Sequence, residues 1–360
     1  NIIESAFQSA GQRCSALRCV YIQDDIAPEL IAMLIGAMQQ LSLGDPWLLS
    51  SDLGPVIDPV AQARIFKHIA EAADQNRVLW TQPVPSQGHY ISPTLIQVSG
   101  IKALEQEVFG PVLHLATFAS HQINAVVEAI NDTGYGLTFG LQTRLSNRAK
   151  EIAQRIKAGN IYVNRNQIGA VVGSQPFGGH GLSGTGPKAG GPFYLGRFRA
   201  VGRQNSSGAW DQVMSQTALI KIMETAATGV HSPDVLLPGP TGELNARSTL
   251  AKPTMLCAGP GAHAADAQAK AVSALGGVAV KATGQIQAGH LTHLGPLGAV
   301  IWWGDEATAR VFDLALAVRA GPSVALITGQ PDSAHVLLEQ HVCIDTTAAG
   351  GNAALLRGDS

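Results

Sequence analysis

Apolar residues recur along the chain with two different spacings, and the alternation of these spacings predicts an α/β protein. Apolar positions every three or four residues predict helices, and short runs of apolar and β-branched residues predict strands. The helical pattern covers residues 2–7, 26–41, 59–75, 121–131, 146–158, 209–225, 262–275 and 306–319. The strand pattern covers residues 17–22, 78–81, 90–98, 112–118, 161–163, 254–258, 278–282, 298–303 and 323–328. Strands that alternate with helices favour layered, mostly parallel sheets.

The alternation of helical and strand patterns weakens between the two halves of the chain, and this predicts how the chain divides into domains. We expect a first α/β domain over residues 1–202, a linker over 203–232 and a second, Rossmann-like α/β domain over 233–360. Within the first domain, residues 164–191 are rich in glycine and irregular, and a loop of that length in a compact domain is usually functional. In the second domain the turn 259–261 does not complete G-x-G-x-x-G, so a dinucleotide site there is a weak hypothesis beside a purely structural domain.

Composition and charge narrow the classes of function. With 360 residues, 46% of them hydrophobic, the chain can bury one large core or two ordinary ones. A net charge of −2 without any block of Lys or Arg gives no signal for nucleic-acid binding. No apolar run approaches the ~20 residues of a membrane span. The four cysteines lack C-x-x-C spacing, which disfavours a metal centre or a disulfide scaffold and favours a reducing cytoplasm.

The leading candidate for chemistry is Cys14, in the small-residue turn 9–16 and next to Arg13. A thiolate near a cation can add to an aldehyde, giving a tetrahedral adduct that expels hydride and leaves a thioester. A single cysteine is more often a small buried apolar residue, and Cys19 is best interpreted in that way.

Two motifs carry a resemblance that favours the chemical interpretation. Residues 7–14, Phe-Gln-Ser-Ala-Gly-Gln-Arg-Cys, resemble the nucleophile signature of the aldehyde dehydrogenase superfamily, and residues 107–111, Glu-Val-Phe-Gly-Pro, resemble its motif at the nicotinamide end of the cofactor. The resemblance implies an aldehyde dehydrogenase catalytic domain, NAD as cofactor and Cys14 as nucleophile. It also implies that Glu107 binds the nicotinamide ribose and that Phe109 packs near the ring. The alternative is a solvated glutamate and a core phenylalanine.

A third segment points to the substrate. Residues 164–173 lead into Gln-Pro-Phe-Gly-Gly at 175–179 and are similar to the substrate-anchoring loop of L-glutamate γ-semialdehyde dehydrogenases, also called 1-pyrroline-5-carboxylate dehydrogenases. We call residues 164–179 the anchor loop. The resemblance implies that the amides of Gly169 and Ala170, together with Ser15, hold the α-carboxylate, and that Phe177 packs on the aliphatic part. The alternative is a glycine-rich surface loop without a ligand.

Residues 237–243 and 346–355 resemble the proline utilization A family of bifunctional bacterial flavoenzymes. That resemblance implies a second domain of aldehyde dehydrogenase type, with residues 346–355 closing the tunnel of the intermediate. It further implies that FAD belongs only to a separate proline dehydrogenase part, that the partners are the rest of a longer polypeptide and copies of the chain, and that the protein is cytoplasmic and bacterial, with peripheral membrane association of the parent.

The expected reaction is therefore NAD-dependent oxidation of L-glutamate γ-semialdehyde to L-glutamate through a Cys14 thiohemiacetal and thioester, with no metal. In this family the general-base Glu, the oxyanion-hole Asn and the adenosine half of the cofactor site precede the nucleophile. The start at Asn1 therefore predicts a domain entered part-way, and we expect the segment alone to be inactive. Another NAD(P)-dependent aldehyde dehydrogenase and a catalytically silent scaffold are the alternatives.

Overall fold

The computed structural model describes residues 1–226, 229 and 232–347. The helices of residues 1–202 are α1 (Ile2–Phe7), α2 (Ala27–Met38), α3 (Pro59–Asp74), α4 (Ile123–Asn131) and α5 (Ser146–Arg155). The strands of the same part are β1 (Cys19–Gln23), β2 (Val78–Trp80), β3 (Thr94–Gln97), β4 (Val112–Phe118), β5 (Tyr135–Gly136), β6 (Thr138–Leu141), β7 (Asn160–Val163) and β8 (His180–Gly181).

The later part of the chain repeats the alternation of helices and strands. Its helices are α6 (Gln216–Glu224), α7 (Gly261–Ala274), α8 (Ala288–Leu291), α9 (Glu306–Ala317) and α10 (Ser333–Val336). Its strands are β9 (Val235–Leu237), β10 (Glu243–Ala251), β11 (Met255–Cys257), β12 (Ala279–Lys281), β13 (Ala299–Ile301), β14 (Ala325–Ile327) and β15 (Leu337–Asp345). The predicted α/β class is confirmed.

The first sheet has the strand order β1-β4-β3-β2 and is parallel except for β2. Its central strand β4 is apolar on both sides, as expected for a strand covered by helices on both faces. Leu113 and Leu115 lie in one core with α2, while Val112 and Ala116 lie in the other core with α3. This sheet supports the turn that carries Cys14, because β1 begins at Cys19, shortly after it.

The second sheet joins distant parts of the chain in the order β6-β7-β15-β10-β9. Strand β15 runs parallel to β7, with Val342 opposite Ile161, and antiparallel to β10. Helices α4 and α5 cover this sheet through a core that includes Val127 and Ile152. The anchor loop starts at Asn164, directly after β7, so the root of the loop lies beside strands from the end of the chain.

The third sheet, β12-β11-β13-β14, is entirely parallel and forms the Rossmann-like part. The segment predicted as a linker contacts it: Arg203 forms a bridge with Gly329, Val213 forms one with Gln285, and the Ser206 N–H donates to the Trp303 carbonyl at 2.7 Å. The helix predicted over 209–225 begins only at Gln216. Of the C-terminal motif 346–355, Thr346 donates its N–H to the Gly242 carbonyl, and residues 348–355 lie outside the described residues.

Within the described ranges, no helix combines the length and the apolar character that a membrane crossing requires.

Candidate active site

Cys14 is the exposed cysteine of the chain, on a turn whose backbone is unusual. Ser9, Ala10 and Gly11 have φ values of 56°, 52° and 66°, three consecutive residues in the left-handed region. A Cβ atom at position 11 would lie 2.2 Å from the carbonyl oxygen of Gly110, so only glycine allows the two backbones to come this close. The cysteine turn therefore lies directly against the motif 107–111.

The other three cysteines are shielded from solvent to different degrees. Cys257 and Cys343 are buried and Cys19 is partly buried. Burial raises the pKa of each of these thiols to about 12, so they are neutral at physiological pH. Exposure thus distinguishes Cys14 as the thiol that a substrate can reach. Cys19 packs against the core between the first sheet and α3, in agreement with its predicted structural role.

Arg18 joins the cysteine turn to the predicted cofactor motif. Its Nη1 donates to the carbonyl of Gly11 at 2.7 Å and its Nη2 to that of Arg13 at 3.0 Å, so it holds the backbone on the N-terminal side of Cys14. Its Nε donates to Oε1 of Glu107 at 3.0 Å, and its guanidinium lies over the Phe109 ring, 4.8 Å from the centroid. One side chain therefore positions both motifs.

Sequence reasoning missed Arg18 and emphasised Arg13 instead. The Arg13 side chain is directed to the Ser9 hydroxyl, with Nε 3.1 Å from Oγ. The Arg18 side chain is only 14% exposed, and burial lowers its pKa, while the charge of Glu107 and that of Cys14 act in the opposite direction. A guanidinium keeps its charge under such conditions, so Arg18 is a fixed cation near Cys14. Its position four residues after the nucleophile was the only signal available in the sequence.

An open cavity of about 480 Å³ lies beside the turn and is lined by Ser9, Gln12, Ile57, Ala61, Arg64 and Phe109. This volume falls within the range of small-molecule sites, about 300–1,000 Å³. The Glu107 side chain is 54% exposed, so its carboxylate can still accept hydrogen bonds from a ligand hydroxyl. An aromatic face and an exposed carboxylate next to a thiol fit the ribose and flat ring of a nicotinamide.

The structure brings the anchor loop to the residue after Cys14. Ser15 is buried, and its carbonyl accepts a hydrogen bond from Nε2 of Gln167 at 3.2 Å, while the Gln167 N–H donates to Oγ of Ser5 at 3.1 Å. Gln167 was not singled out in the sequence, yet it fixes the loop two residues before Gly169. The contact connects the predicted nucleophile and the predicted carboxylate site through one side chain.

Gly169 and Ala170 are exposed, and among the described residues their N–H groups donate to no acceptor. Gly169 has φ 77° and no atom within 4 Å of the position that a Cβ would take, so its backbone is open to a ligand. Amides in such a turn can bind an anion. No described hydrogen bond joins Ser15 directly to either residue.

Phe177 is half-buried, and its described hydrogen bonds fix its backbone. It pairs with Ala189 through two hydrogen bonds of 2.8 and 2.9 Å. The Asn160 side chain binds the residues on both sides, with Nδ2 2.9 Å from the Pro176 carbonyl and Oδ1 3.2 Å from the Gly178 N–H. The described contacts therefore hold Phe177 near the start of β7.

The turn at the start of α7 is covered by the chain itself. A Cβ at Gly208 would lie 2.8 Å from the carbonyl oxygen of Pro260, and one at Gly261 would lie 3.0 Å from that of Ala209. In dinucleotide-binding folds the pyrophosphate occupies this position. The geometry therefore favours the structural interpretation of the third sheet. Among the described residues, no three His, Cys, Asp or Glu side chains lie close enough to hold a metal ion.

Comparison with known proteins places these observations in a family context. Residues 1–201 match the aldehyde dehydrogenase family. Bifunctional protein PutA of Salmonella typhimurium is 36% identical over 99% of this chain and 31% of its own length, so the chain spans about a third of that relative. A crystal structure of a Bradyrhizobium japonicum proline utilization A variant is 48% identical to this chain, with a TM-score of 0.53. The match covers 55% of this chain and 20% of the chain in the crystal. A 1-pyrroline-5-carboxylate dehydrogenase from Thermus with bound NAD is 30% identical over 55% of this chain and 38% of its own, with a TM-score of 0.51.

Proposed function

The chain belongs to the aldehyde dehydrogenase family, and from this premise we propose that it carries the nucleophile of an enzyme that oxidises L-glutamate γ-semialdehyde to L-glutamate with NAD. The similar proteins named proline utilization A and 1-pyrroline-5-carboxylate dehydrogenase support this substrate. The observation that carries the proposal is the guanidinium of Arg18, which holds the Cys14 turn and the Glu107–Phe109 motif together.

In the proposed reaction the Cys14 thiolate attacks the aldehyde carbon, and the C=O electron pair moves to oxygen to give a thiohemiacetal alkoxide. Collapse of the alkoxide re-forms C=O and expels hydride, and the product is a thioester on Cys14. Water then attacks the thioester carbonyl, the C–S bond breaks, and the acid and the free thiol are released. The exposed position of Cys14 gives the aldehyde access to the thiol.

NAD, when bound, supplies the acceptor for the hydride. The exposed carboxylate of Glu107 would accept hydrogen bonds from the nicotinamide ribose, and Phe109 would limit the tilt of the flat ring above the cavity. Arg18 would keep both side chains at a constant distance from the Cys14 turn, because it contacts the turn and both residues of the motif.

The anchor loop would bind the α-carboxylate of the substrate. The free amides of Gly169 and Ala170 can donate to it, and Gln167, two residues before Gly169, ties the loop to the carbonyl of Ser15, the residue after Cys14. Phe177 would pack on the aliphatic carbons between the two functional groups. A carboxylate held at one end would place the aldehyde at the other, so the enzyme would prefer a semialdehyde to a simple aldehyde.

The wider organisation follows the same relatives. We assign residues 1–202 to the catalytic domain and residues 233–360 to a second domain of aldehyde dehydrogenase type. The partners would be the rest of a longer cytoplasmic polypeptide, including a proline dehydrogenase part that holds FAD, and further copies of the chain. A relative named as bifunctional aligns with 99% of this chain, which supports this assignment.

The test is NADH formation by the full-length protein with glutamate γ-semialdehyde and with butanal as substrates. Cys14→Ala should abolish the reaction, and the partly buried neighbour Cys19→Ala should retain it, since Cys19 packs in the core. Equal kcat/KM for the two aldehydes would contradict the carboxylate site, and activity in Cys14→Ala would contradict the nucleophile.

A further inference from the structure

Two residues of the anchor loop bind one carboxylate on a strand from a distant part of the chain. Glu243, at the start of β10, accepts a hydrogen bond from Nη1 of Arg165 at 2.5 Å through Oε2. Its other oxygen, Oε1, accepts one from Nε2 of Gln175 at 2.6 Å. Arg165 and Gln175 lie on opposite sides of Gly169 and Ala170, so a single side chain holds both ends of the segment that carries the free amides.

Glu243 is itself fixed in place. Nδ2 of Asn245 donates to its Oε1 at 2.8 Å, and Oδ1 of Asn245 is 3.0 Å from Nε2 of the fully buried His341. Burial alone would raise the pKa of Glu243, but the bond from Asn245, the charge of Arg165 and the bond from Gln175 lower it below its ordinary value. The carboxylate is therefore ionised and accepts charge-assisted hydrogen bonds, which are the stronger kind.

A buried thiol adds to the same contact. Sγ of Cys343, on β15, lies 3.2 Å from Nη1 of Arg165 and 3.6 Å from Nε2 of Gln175. The guanidinium of Arg165 also lies over the Tyr162 ring, 5.4 Å from its centroid. Arg165 is thus held beside β7 and β15, and its charge is balanced by Glu243 rather than presented to the substrate site.

Holding both ends of a loop has a specific effect on binding. A loop that must order its backbone when the ligand arrives loses part of the interaction free energy to conformational entropy. Between Arg165 and Gln175, the side chain of Gln167 binds the carbonyl of Ser15 in the cysteine turn. Two fixed ends and one fixed interior residue leave the amides at 169 and 170 ordered before the substrate binds.

We propose that Glu243 is a positioning residue for the anchor loop, through which the C-terminal strands set the affinity for substrates that carry an α-carboxylate. This inference rests on the proposed function for the nature of the substrate. The ordering of residues 165–175 by Glu243 follows from the contacts and does not depend on the identity of the substrate. Glu243 does not touch the reacting atoms, so its removal should change substrate binding more than the chemical step.

The experiment compares Glu243→Ala and Glu243→Gln with Gln340→Ala in the full-length protein. Gln340 is a matched control, because Nε2 of this buried β15 residue also binds the first part of the chain, at the carbonyls of Ile156 (3.2 Å) and Ala158 (3.1 Å), and none of its described hydrogen bonds reaches the loop. The substrates are glutamate γ-semialdehyde and γ-aminobutyraldehyde, which lacks only the carboxylate. Amide hydrogen exchange of residues 165–175 is measured without substrate.

In Glu243→Ala we expect KM for the semialdehyde to rise about 10-fold or more, which corresponds to ~1.4 kcal/mol of binding. kcat and the kinetics with γ-aminobutyraldehyde should stay within about 2-fold, and exchange over 165–175 should become faster. Glu243→Gln should lie between Glu243→Ala and the native protein, because an amide keeps one acceptor. Gln340→Ala should affect both substrates equally and leave the exchange of the loop unchanged.

Two results would overturn the proposal: an unchanged ratio of kcat/KM for the two substrates in Glu243→Ala, or unchanged exchange of the loop. If the native protein itself does not distinguish the two aldehydes, the proposed substrate is wrong. The exchange measurement then still decides whether Glu243 orders the loop, and Glu243→Gln provides this readout if the alanine variant does not fold.

Discussion

Nε of Arg18 lies 3.0 Å from Oε1 of Glu107, although 89 residues separate them in the chain. The other nitrogens of the same guanidinium hold the carbonyls of Gly11, Arg13 and Gly110. The geometry of the candidate site therefore depends on a planar group with several donors. A single charge at the same place would not suffice.

Arg18→Lys should lower kcat/KM with NAD by about 10- to 100-fold, since an ammonium group cannot reproduce the fork of donors and hydrogen bonds to charged groups contribute about 1.5–3 kcal/mol. KM for NAD should rise as well, because Glu107 loses its partner. Steady-state kinetics of the full-length protein measure both effects. Arg310→Lys, in an exposed i,i+4 pair with Glu306, is the control and should behave like the native protein. Native kinetics in Arg18→Lys would contradict the role of Arg18.

Gly11→Ala should destabilise the protein by about 2 kcal/mol or more and remove most activity, because the new methyl group would lie 2.2 Å from the Gly110 carbonyl oxygen at a φ of 66°. Gly36→Ala is the matched control, with no atom within 4 Å of its Cβ position on α2. It should stabilise the helix by about 0.5–1 kcal/mol. Urea unfolding measures both changes, and equal behaviour of the two variants would show that the cysteine turn can relax.

Stability should fall as the pH is lowered from about 6.5 to about 4. Burial lowers the pKa of His114, His180 and His341 to about 4, whereas the unfolded chain protonates histidine near 6.5. Well above pH 6.5 all three are neutral in both states, and their contribution is fully present. Below it the unfolded state binds more protons, so the free energy of unfolding decreases by about 1–3 kcal/mol for each histidine.

Urea unfolding at a series of pH values measures this slope. His114→Gln should make the decrease smaller, because one buried imidazole no longer resists protonation. His121→Gln, at an exposed position, is the control and should retain the native slope. A free energy of unfolding that does not change between about pH 6.5 and about pH 4 would contradict the prediction.

The elements with a clear apolar period were predictable from the sequence. The helix predicted over 59–75 is observed at Pro59–Asp74, where Asp58 accepts a hydrogen bond from the Ala61 N–H as N-cap, and the strand predicted over 112–118 has those bounds. Strands β10 and β15 were not predicted. Their buried positions include Asn245, Ser248, Glu339 and His341, so the usual alternation of apolar and polar residues is absent. Distant residues bind several of these side chains: the Lys188 N–H donates to Oε2 of Glu339 at 3.1 Å, and Nε2 of His341 lies 3.0 Å from Oδ1 of Asn245.

The sequence alone determined which segments are candidates for the site: the turn with Cys14, the motif with Glu107 and Phe109, and the loop with Gly169 and Ala170, each recognisable because its residues are neighbours in the chain. Only the tertiary structure decided how these segments are held together, through Arg18, Gln167 and Glu243. Their partners lie 89, 152 and 78 residues away in the sequence. No local periodicity encodes such contacts, because they form only when the sheets have aligned the strands that carry them.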